Sequence, residues 1–209
     1  MFYNLVFTSL PPIFIAVLDQ ELGAKELLMY PRLYEDGILR KRFNARLFWL
    51  AILDGCWQGT ICYLGPVFGL EYVNNAMTNL GFTYGLYDIS MVICMCAVIC
   101  AIFTMALNVH NWTWITHASI WGSFLLFFIY HILVGGFVPP NNELTYDMYG
   151  LLYSVLGQAA PYLVTLLTVV LALMPRYALK YYDRMYHFRD ADIVAEMALG
   201  LGKSKQPSV

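Results

Sequence analysis

The first apolar stretch of this chain contains the side chains best suited to handling a ligand. One amide, Asn4, and two hydroxyls, Thr8 and Ser9, lie there close to Phe7 and Pro11. A helix that faces only lipid would avoid such polar side chains, because hydrocarbon offers them no hydrogen bonds. These residues therefore predict a stretch that lines something inside the membrane rather than one that merely anchors the chain.

A proline pair, Pro11 and Pro12, controls the backbone of this stretch. Each proline lacks an N–H and its ring clashes with the carbonyl one turn earlier, so a helix here should kink or unwind near Thr8 and Ser9. Carbonyls freed at membrane depth are tolerated only where protein or a wet cavity satisfies them. The pattern predicts a broken span that lines something. A kinked anchor whose two hydroxyls bond back to their own turn is the alternative.

The composition indicates a membrane protein. Of the 209 residues, 60% are hydrophobic and 12% are charged, whereas roughly a quarter of residues are charged in soluble domains. The net charge of -2 gives no reason to expect nucleic acid as a partner. All 12 Lys and Arg fall into two blocks, 25–46 and 176–205, with none between them.

Five apolar runs divide the chain, and we predict an all-α membrane protein with five transmembrane helices, the first broken at the proline pair. A straight crossing takes about 20 residues, so the first run is short, and we expect the chain to begin inside that span. The predicted order is a span at 1–18, a loop at 19–46, a scaffold at 47–174 with spans at 47–70, 86–107, 112–134 and 151–173, and a tail at 175–209.

The two basic blocks predict the orientation. Loops rich in Lys and Arg stay on the cytoplasmic side, which places the loop 19–46 and the tail 175–209 there and the links at 71–84 and 135–150 outside. Five spans with an outside start are expected of a piece of a larger transporter.

Asp54, Gln58 and Gln158 are polar side chains that fall inside the later runs. A carboxylate in hydrocarbon is costly unless it is paired or hydrated, so Asp54 should face the bundle, as should Gln58 one turn on. We predict structural roles for all three. Gly55 and Gly59 are spaced to let another helix approach closely.

The five cysteines all lie in apolar stretches, which favours packing over a disulfide framework. Cys96 and Cys100 share a helix face, but no charged residue or His lies close to them in that segment. We therefore predict no metal site.

Several motifs carry a resemblance to the type IV P-type ATPases, the phospholipid flippases. The order and spacing agree over nearly the whole chain, and the tail start is similar to that of fungal plasma-membrane-type members. The matching motifs are Tyr3-Asn4-x-x-Phe7-Thr8-Ser9-Leu10-Pro11 with Asp19-Gln20-Glu21, Pro31-x-Leu33-Tyr34-x-x-Gly37-Ile38, Phe43-Asn44-x-Arg46-x-Phe48 and Arg189-Asp190-Ala191-Asp192-Ile193-Val194.

The resemblance implies that the chain is the last five spans of a ten-span membrane domain, with the first span here as the family's sixth. Such an enzyme uses ATP and Mg to move phospholipid from the outer to the cytoplasmic leaflet, in the plasma membrane or late secretory and endosomal membranes. It also implies a small accessory glycoprotein subunit at the outside loops. The lipid path would include Asn4, Phe7, Thr8, Ser9 and Pro11.

This sequence lacks the family's Asp-Lys-Thr-Gly phosphorylation motif. We therefore expect no catalytic residue, no cofactor and no ATP hydrolysis by this chain alone. Pro12 departs from the family pattern, in which an aliphatic residue usually follows one proline, and this affects the form of the break. A membrane scaffold or assembly subunit without transport of its own is the alternative function.

Overall fold

The computed structural model describes residues 8–20, 22–38, 44–72, 84–137, 150–186, 192–194 and 197, and over these the chain forms helices and no strand. A 3₁₀ turn, Pro31–Tyr34, precedes α3, and a π-helical turn, Val67–Tyr72, continues from α4. The all-α prediction is therefore confirmed for this part of the chain. The helices are α1 (Leu10–Leu18), α2 (Ala24–Met29), α3 (Glu35–Ile38), α4 (Ala45–Pro66), α5 (Leu86–Asn108), α6 (Trp114–Phe137), α7 (Leu151–Leu156) and α8 (Ala159–Tyr186).

Four helices among the described residues are long and apolar enough to cross a membrane: α4 with part of its π-helical turn, α5, α6 and α8. Each overlaps one of the later four predicted spans, and the protein is an integral membrane protein. The first predicted span is represented by the nine residues of α1 alone. The count of five spans therefore stays a prediction.

The proline pair begins α1. Pro11 and Pro12 occupy the first turn, where a helix does not need their missing N–H groups. Thr8 and Ser9 form a bend just before that turn. The part of the predicted break that precedes Thr8 falls on residues 1–7, which lie outside the described residues.

The last predicted span, 151–173, is not one helix. It is divided at Gly157 and Gln158, between α7 and α8. Pro161 has no N–H to donate back to the carbonyl of Gly157, so a continuous helix would lose a bond there. The hydroxyl of Tyr162 donates instead to the carbonyl of Leu156, at 2.9 Å.

The boundary predicted between the last span, 151–173, and the tail, 175–209, does not coincide with a helix end. Pro175 lies inside α8, which continues to Tyr186. An internal proline costs a helix one hydrogen bond, but spanning helices tolerate it because neighbouring groups can satisfy the freed carbonyl. The start of the region assigned to the tail is therefore helical.

Helix α5 lies at the centre of the packing. Of its apolar span, 44% is buried, against 6% for the span of α4. One face of α5 meets α4, α7 and α8, and another meets α6 and α1. The first face contributes Ile89, Val92, Cys96 and Cys100 to one core cluster, and the second contributes Met95, Val98 and Ile102 to another.

Two glycines let α4 approach α8 closely. A Cβ on Gly65 would lie 2.3 Å from Oγ1 of Thr168, and a Cβ on Gly69 would lie 2.8 Å from Cγ2 of Val164. Nothing within the described chain comes within 4 Å of a Cβ placed on Gly55 or Gly59. Among the described residues, the close approach occurs at a glycine pair ten residues, or about three turns, after Gly55 and Gly59, with the same four-residue spacing.

Candidate functional site

Three of the five predicted path residues lie together where α1 begins. Thr8 and Ser9 form the bend, in which Ser9 is half-buried, and Pro11 is fully buried. Asn4 and Phe7 lie outside the described residues. The structure therefore places two hydroxyls beside a turn that the prolines cannot close with their own N–H groups.

Helix α1 packs mainly on α6 and touches α5. Its Ile15 packs against the core cluster between α5 and α6 that includes Ile120 and Phe127, whereas Ile13 and Val17 are 58% and 75% exposed. One side of this short helix is thus fixed to the bundle, and the other faces outward.

The end of α1 is tied to the turn between α5 and α6. Oδ1 of Asp19 accepts the backbone N–H of His110 at 3.0 Å and that of Asn111 at 2.8 Å. Its Oδ2 lies 3.1 Å from Nδ1 of His110. Sequence reasoning noted Asp19 as part of a motif but predicted no partner, because the contact joins residues that are 91 and 92 positions apart.

The environment of Asp19 favours its ionised form. Burial raises the pKa of the carboxyl, but the hydrogen bonds from Asn111 and His110 outweigh it, and the pKa lies below its usual value. Asp19 is therefore a carboxylate at neutral pH, and its bonds to the turn are charge-assisted.

Asp54 and Gln58 form a polar network that joins three helices. Oδ2 of Asp54 accepts Nη1 of Arg176 at 2.7 Å and Nε2 of Gln58 at 3.0 Å. The hydroxyl of Thr104 donates to Oε1 of Gln58 at 3.2 Å. The side chains of Arg176 and Asp54 are 30% and 21% exposed. Asp54 and Gln58 thus have partners on α8 and α5, and their structural role stays a prediction.

Arg176 is the partner that sequence reasoning missed. It follows the predicted span 151–173, so it was assigned to the tail. Helix geometry offers a signal: Asp54 lies about 14 Å along α4 from Ala45, and Arg176 lies about 15 Å along α8 from Tyr186. When two helices run antiparallel and their basic ends lie on the same side, residues at equal distances from those ends lie at the same depth.

Lys180 supplies a second polar tie on α8, one turn after Arg176. Its Nζ donates to the carbonyl of Leu107 near the end of α5. A cation at the end of a helix satisfies a carbonyl that has no helical donor and complements the helix dipole. Arg176 and Lys180 thus connect α8 to α4 and to α5.

Gln158, the third predicted embedded polar residue, lies in the break between α7 and α8. Its Oε1 accepts the hydroxyl of Tyr84. Burial, and then the charge of Asp88, raises the pKa of Tyr84, so the phenol stays a neutral donor. The pair joins the segment before α5 to the start of α8.

The cysteines and a cavity lie on elements other than α1. All five thiols are free, and Sγ of Cys62 lies 3.4 Å from Sγ of Cys100 between α4 and α5. Among the described residues, no group of three His, Cys, Asp or Glu could hold a metal. A cavity of about 200 Å³ lies between α5, α6 and α7, lined by Tyr87, Ser90, Met91, Cys94, Tyr130, His131, Val134, Gly135 and Leu151.

The arrangement defines the class of the protein. It is an integral membrane domain of several helices, in which a bent segment that carries two hydroxyl groups packs on a helix bundle joined by polar contacts. Its sequence matches the family model described as "Phospholipid-translocating P-type ATPase C-terminal" over residues 1–189. The chain belongs to this family.

Curated relatives from a plant, an animal and a yeast match along most of the chain. It is 31% identical to "Phospholipid-transporting ATPase 1" of Arabidopsis thaliana over 98% of the chain and 16% of that protein. It is 32% identical to "Phospholipid-transporting ATPase VB" of Homo sapiens over 85% of the chain and 11% of that protein. It is 30% identical to "Phospholipid-transporting ATPase DNF1" of Saccharomyces cerevisiae over 94% of the chain and 12% of that protein. The chain thus spans about a sixth or less of the length of these relatives.

Proposed function

We propose that this chain is the C-terminal membrane region of an ATP-driven phospholipid translocase, a flippase that moves phospholipid from the outer to the cytoplasmic leaflet. Family membership over residues 1–189 supports this, as do relatives that are named phospholipid-transporting ATPases. ATP and Mg would be bound by other parts of the whole protein.

The bend before α1 is the observation that carries the proposed role of this chain. Thr8 and Ser9 lie in it, directly before the buried Pro11. Here hydroxyls can replace part of the water around a passing phospholipid head group without adding a charge. Asn4 and Phe7 complete the proposed path.

The remaining spans form the proposed scaffold. Helices α4, α5 and α8 are joined through Asp54, Gln58 and Arg176, and α6 supports α1. In this proposal the scaffold keeps α1 in place while the ATP-driven part of the protein changes shape.

The proposed topology has five spans, as the last half of ten. The basic loop 19–46 and the tail from residue 175 face the cytoplasm, because Lys and Arg accumulate on that side. Asp19, the α5–α6 turn and the Arg184 end of α8 would then share the cytoplasmic side. A small accessory glycoprotein subunit would contact the outside links.

The finer assignment is to a fungal type of flippase in the plasma membrane or in late secretory and endosomal membranes. The motif order at the start of the tail supports the fungal type. The second candidate is a scaffold or assembly subunit without transport of its own, and the large share of structural contacts in α4, α5 and α8 favours it.

The deciding experiment uses the whole ATPase that contains this chain, reconstituted in vesicles with a fluorescent phospholipid. Replacing Asn4 and Thr8 together by Ala should slow ATP-dependent lipid transport roughly tenfold, since each lost hydrogen bond is worth about 0.5–1.5 kcal/mol. The readout is fluorescent lipid moved per minute at a fixed amount of ATPase.

Val17→Ala is the matched control, because Val17 is on α1 and 75% exposed. Its transport rate should equal that of the wild type. If the Asn4 and Thr8 variant also transports at the wild-type rate, the path assignment is wrong and the scaffold alternative stands.

A further inference from the structure

Helix α1 has two ends of opposite character. At its start, Thr8 and Ser9 form a bend, and the prolines that follow cannot donate a helical hydrogen bond across it. At its end, Asp19 leaves the helix in an extended conformation after its N–H has bonded to the carbonyl of Ile15. The start resembles a hinge, and the end resembles an attachment.

The attachment is made by one side chain. Both oxygens of Asp19 are used: Oδ1 accepts two backbone N–H groups, and Oδ2 faces Nδ1 of His110. The Asp19 side chain is 17% exposed. All these donors come from the turn that joins α5 to α6, residues 109–113, so the helix is fixed to the connection of two long spans.

The carboxylate gives this attachment its strength. Charge-assisted hydrogen bonds are roughly twice as strong as neutral ones, and three of them meet at Asp19. The backbone donors are fixed by the turn and cannot rotate away as side chains can. Among the described residues, α1 is also held by apolar packing on α6, which permits sliding along the helix axis more readily than a hydrogen bond does.

We propose that Asp19 is a positioning residue for lipid transport, which fastens the Leu18 end of α1 to the α5–α6 turn so that movement of this span is confined to the bend at Thr8 and Ser9. The inference rests on the proposed function, since it needs α1 to line the lipid path. Without the attachment, the whole of α1 shifts when the ATP-driven part of the protein moves. ATP is then hydrolysed without transport of lipid.

The test compares three variants in the whole reconstituted ATPase. Asp19→Ala removes all three bonds, Asp19→Asn keeps an oxygen for the backbone donors but loses the charge, and His110→Ala keeps both backbone donors. The measured quantities are the ratio of lipid moved to ATP hydrolysed and the KM for phospholipid. Misfolding lowers both rates together and leaves that ratio unchanged, so the ratio reports positioning rather than yield.

We expect the ratio to fall at least about fivefold in Asp19→Ala, the equivalent of losing one hydrogen bond. Asp19→Asn should lie between it and the wild type, and His110→Ala should be the mildest. Gln20→Ala, an exposed neighbour, is the matched control and should keep the wild-type ratio.

Each outcome decides the inference. A wild-type ratio in Asp19→Ala overturns it, and so does a loss in Gln20→Ala as large as in Asp19→Ala. If Asp19→Ala is not recovered in folded form, the order of Asp19→Asn below His110→Ala supports the inference, and equal wild-type ratios in both overturn it. A wild-type protein that hydrolyses ATP and moves no phospholipid refutes the proposed function itself.

Discussion

The carboxylate of Asp54 accepts hydrogen bonds from Arg176 on α8 and from Gln58 on its own helix. An isolated Asp or Arg near the centre of a spanning helix costs about 2.5–3.5 kcal/mol on insertion scales. Each residue therefore makes the other tolerable, and Gln58 passes the network on to Thr104. Each polar side chain of this network thus has a hydrogen-bond partner inside the apolar bundle.

Removing one member of the pair should be worse than removing both. Arg176→Ala leaves Asp54 partly buried with Gln58 as its neighbour, and we expect a loss of roughly 2–5 kcal/mol in the free energy of unfolding. The double variant with Asp54→Ala should recover part of it, because no charge is then unpaired. Thermal unfolding in mild detergent measures both.

Arg184→Ala supplies the comparison, since Arg184 is an exposed arginine further along α8. It should unfold within a few degrees of the wild type. A double variant less stable than Arg176→Ala would contradict the view that the unpaired carboxylate is the main cost.

Asp19 predicts a defined acid dependence. Its folded pKa is lowered, so its contribution to stability is complete above the ordinary Asp value of about 3.9 and is lost as the pH falls through the lower folded value. The loss of stability caused by Asp19→Asn should therefore shrink as the pH falls below about pH 4. Urea unfolding at each pH gives this loss, and a loss that grows as the pH falls through this range would show the opposite sign of linkage.

Reasoning from the sequence about single residues predicted which side chains need partners. It did not predict which residues those partners are. Asp54 was predicted to turn inward because an unpaired carboxylate is costly in hydrocarbon. Arg176 and the His110 turn could not be predicted, because the contacts join residues 122 and 91 positions apart. Such pairings depend on helix packing, which local pattern does not specify.

At the scale of the helices, α4 and α8 pack closely where glycine residues leave room for the side chains of α8. Each of the later four predicted spans overlaps a long apolar helix, because apolar length is a local property. Which glycine pair is used is not local: Gly55 and Gly59 have the same spacing as Gly65 and Gly69, but only the second pair faces another described helix closely. The break at Gly157 and the continuation through Pro175 likewise depend on tertiary neighbours.

The glycine positions predict a sharp contrast between two matched substitutions. Gly65→Ala would place a methyl group 2.3 Å from Oγ1 of Thr168 and 2.8 Å from its Cγ2, and we expect a destabilisation of about 1–3 kcal/mol. Gly59→Ala on the same helix meets nothing within 4 Å among the described residues and should be neutral or slightly stabilising. Thermal unfolding of this chain in detergent compares them, and equal effects would contradict the close approach of α4 to α8.

At the scale of the whole molecule, α4 is a long span that the other described residues cover only slightly. Only 6% of its span is buried, and Gly55 and Gly59 have open space beside them among the described residues. The chain spans about a sixth or less of the curated relatives it matches. In the proposed function, preceding spans of the same ATPase cover this face.

This arrangement predicts that one substitution has different effects in two contexts. Gly59→Leu should leave the unfolding temperature of this chain alone nearly unchanged, because the described residues leave room for the side chain. In the whole ATPase it should lower stability by about 1–3 kcal/mol, because it would clash with a covering helix. Thermal unfolding of both forms tests this, and equal, small effects in both would mean that lipid covers the face.

The separation of Asp54 from Arg176 by 122 positions also sets an order of events during synthesis. At about 5–20 residues per second, a ribosome needs about 6–24 s to make the intervening chain. Throughout that interval the carboxylate has been made and the guanidinium does not yet exist. Of the network, only Gln58 is then available to donate to Asp54, and Thr104 can join through Gln58 once α5 has been made. Slower translation prolongs this stage.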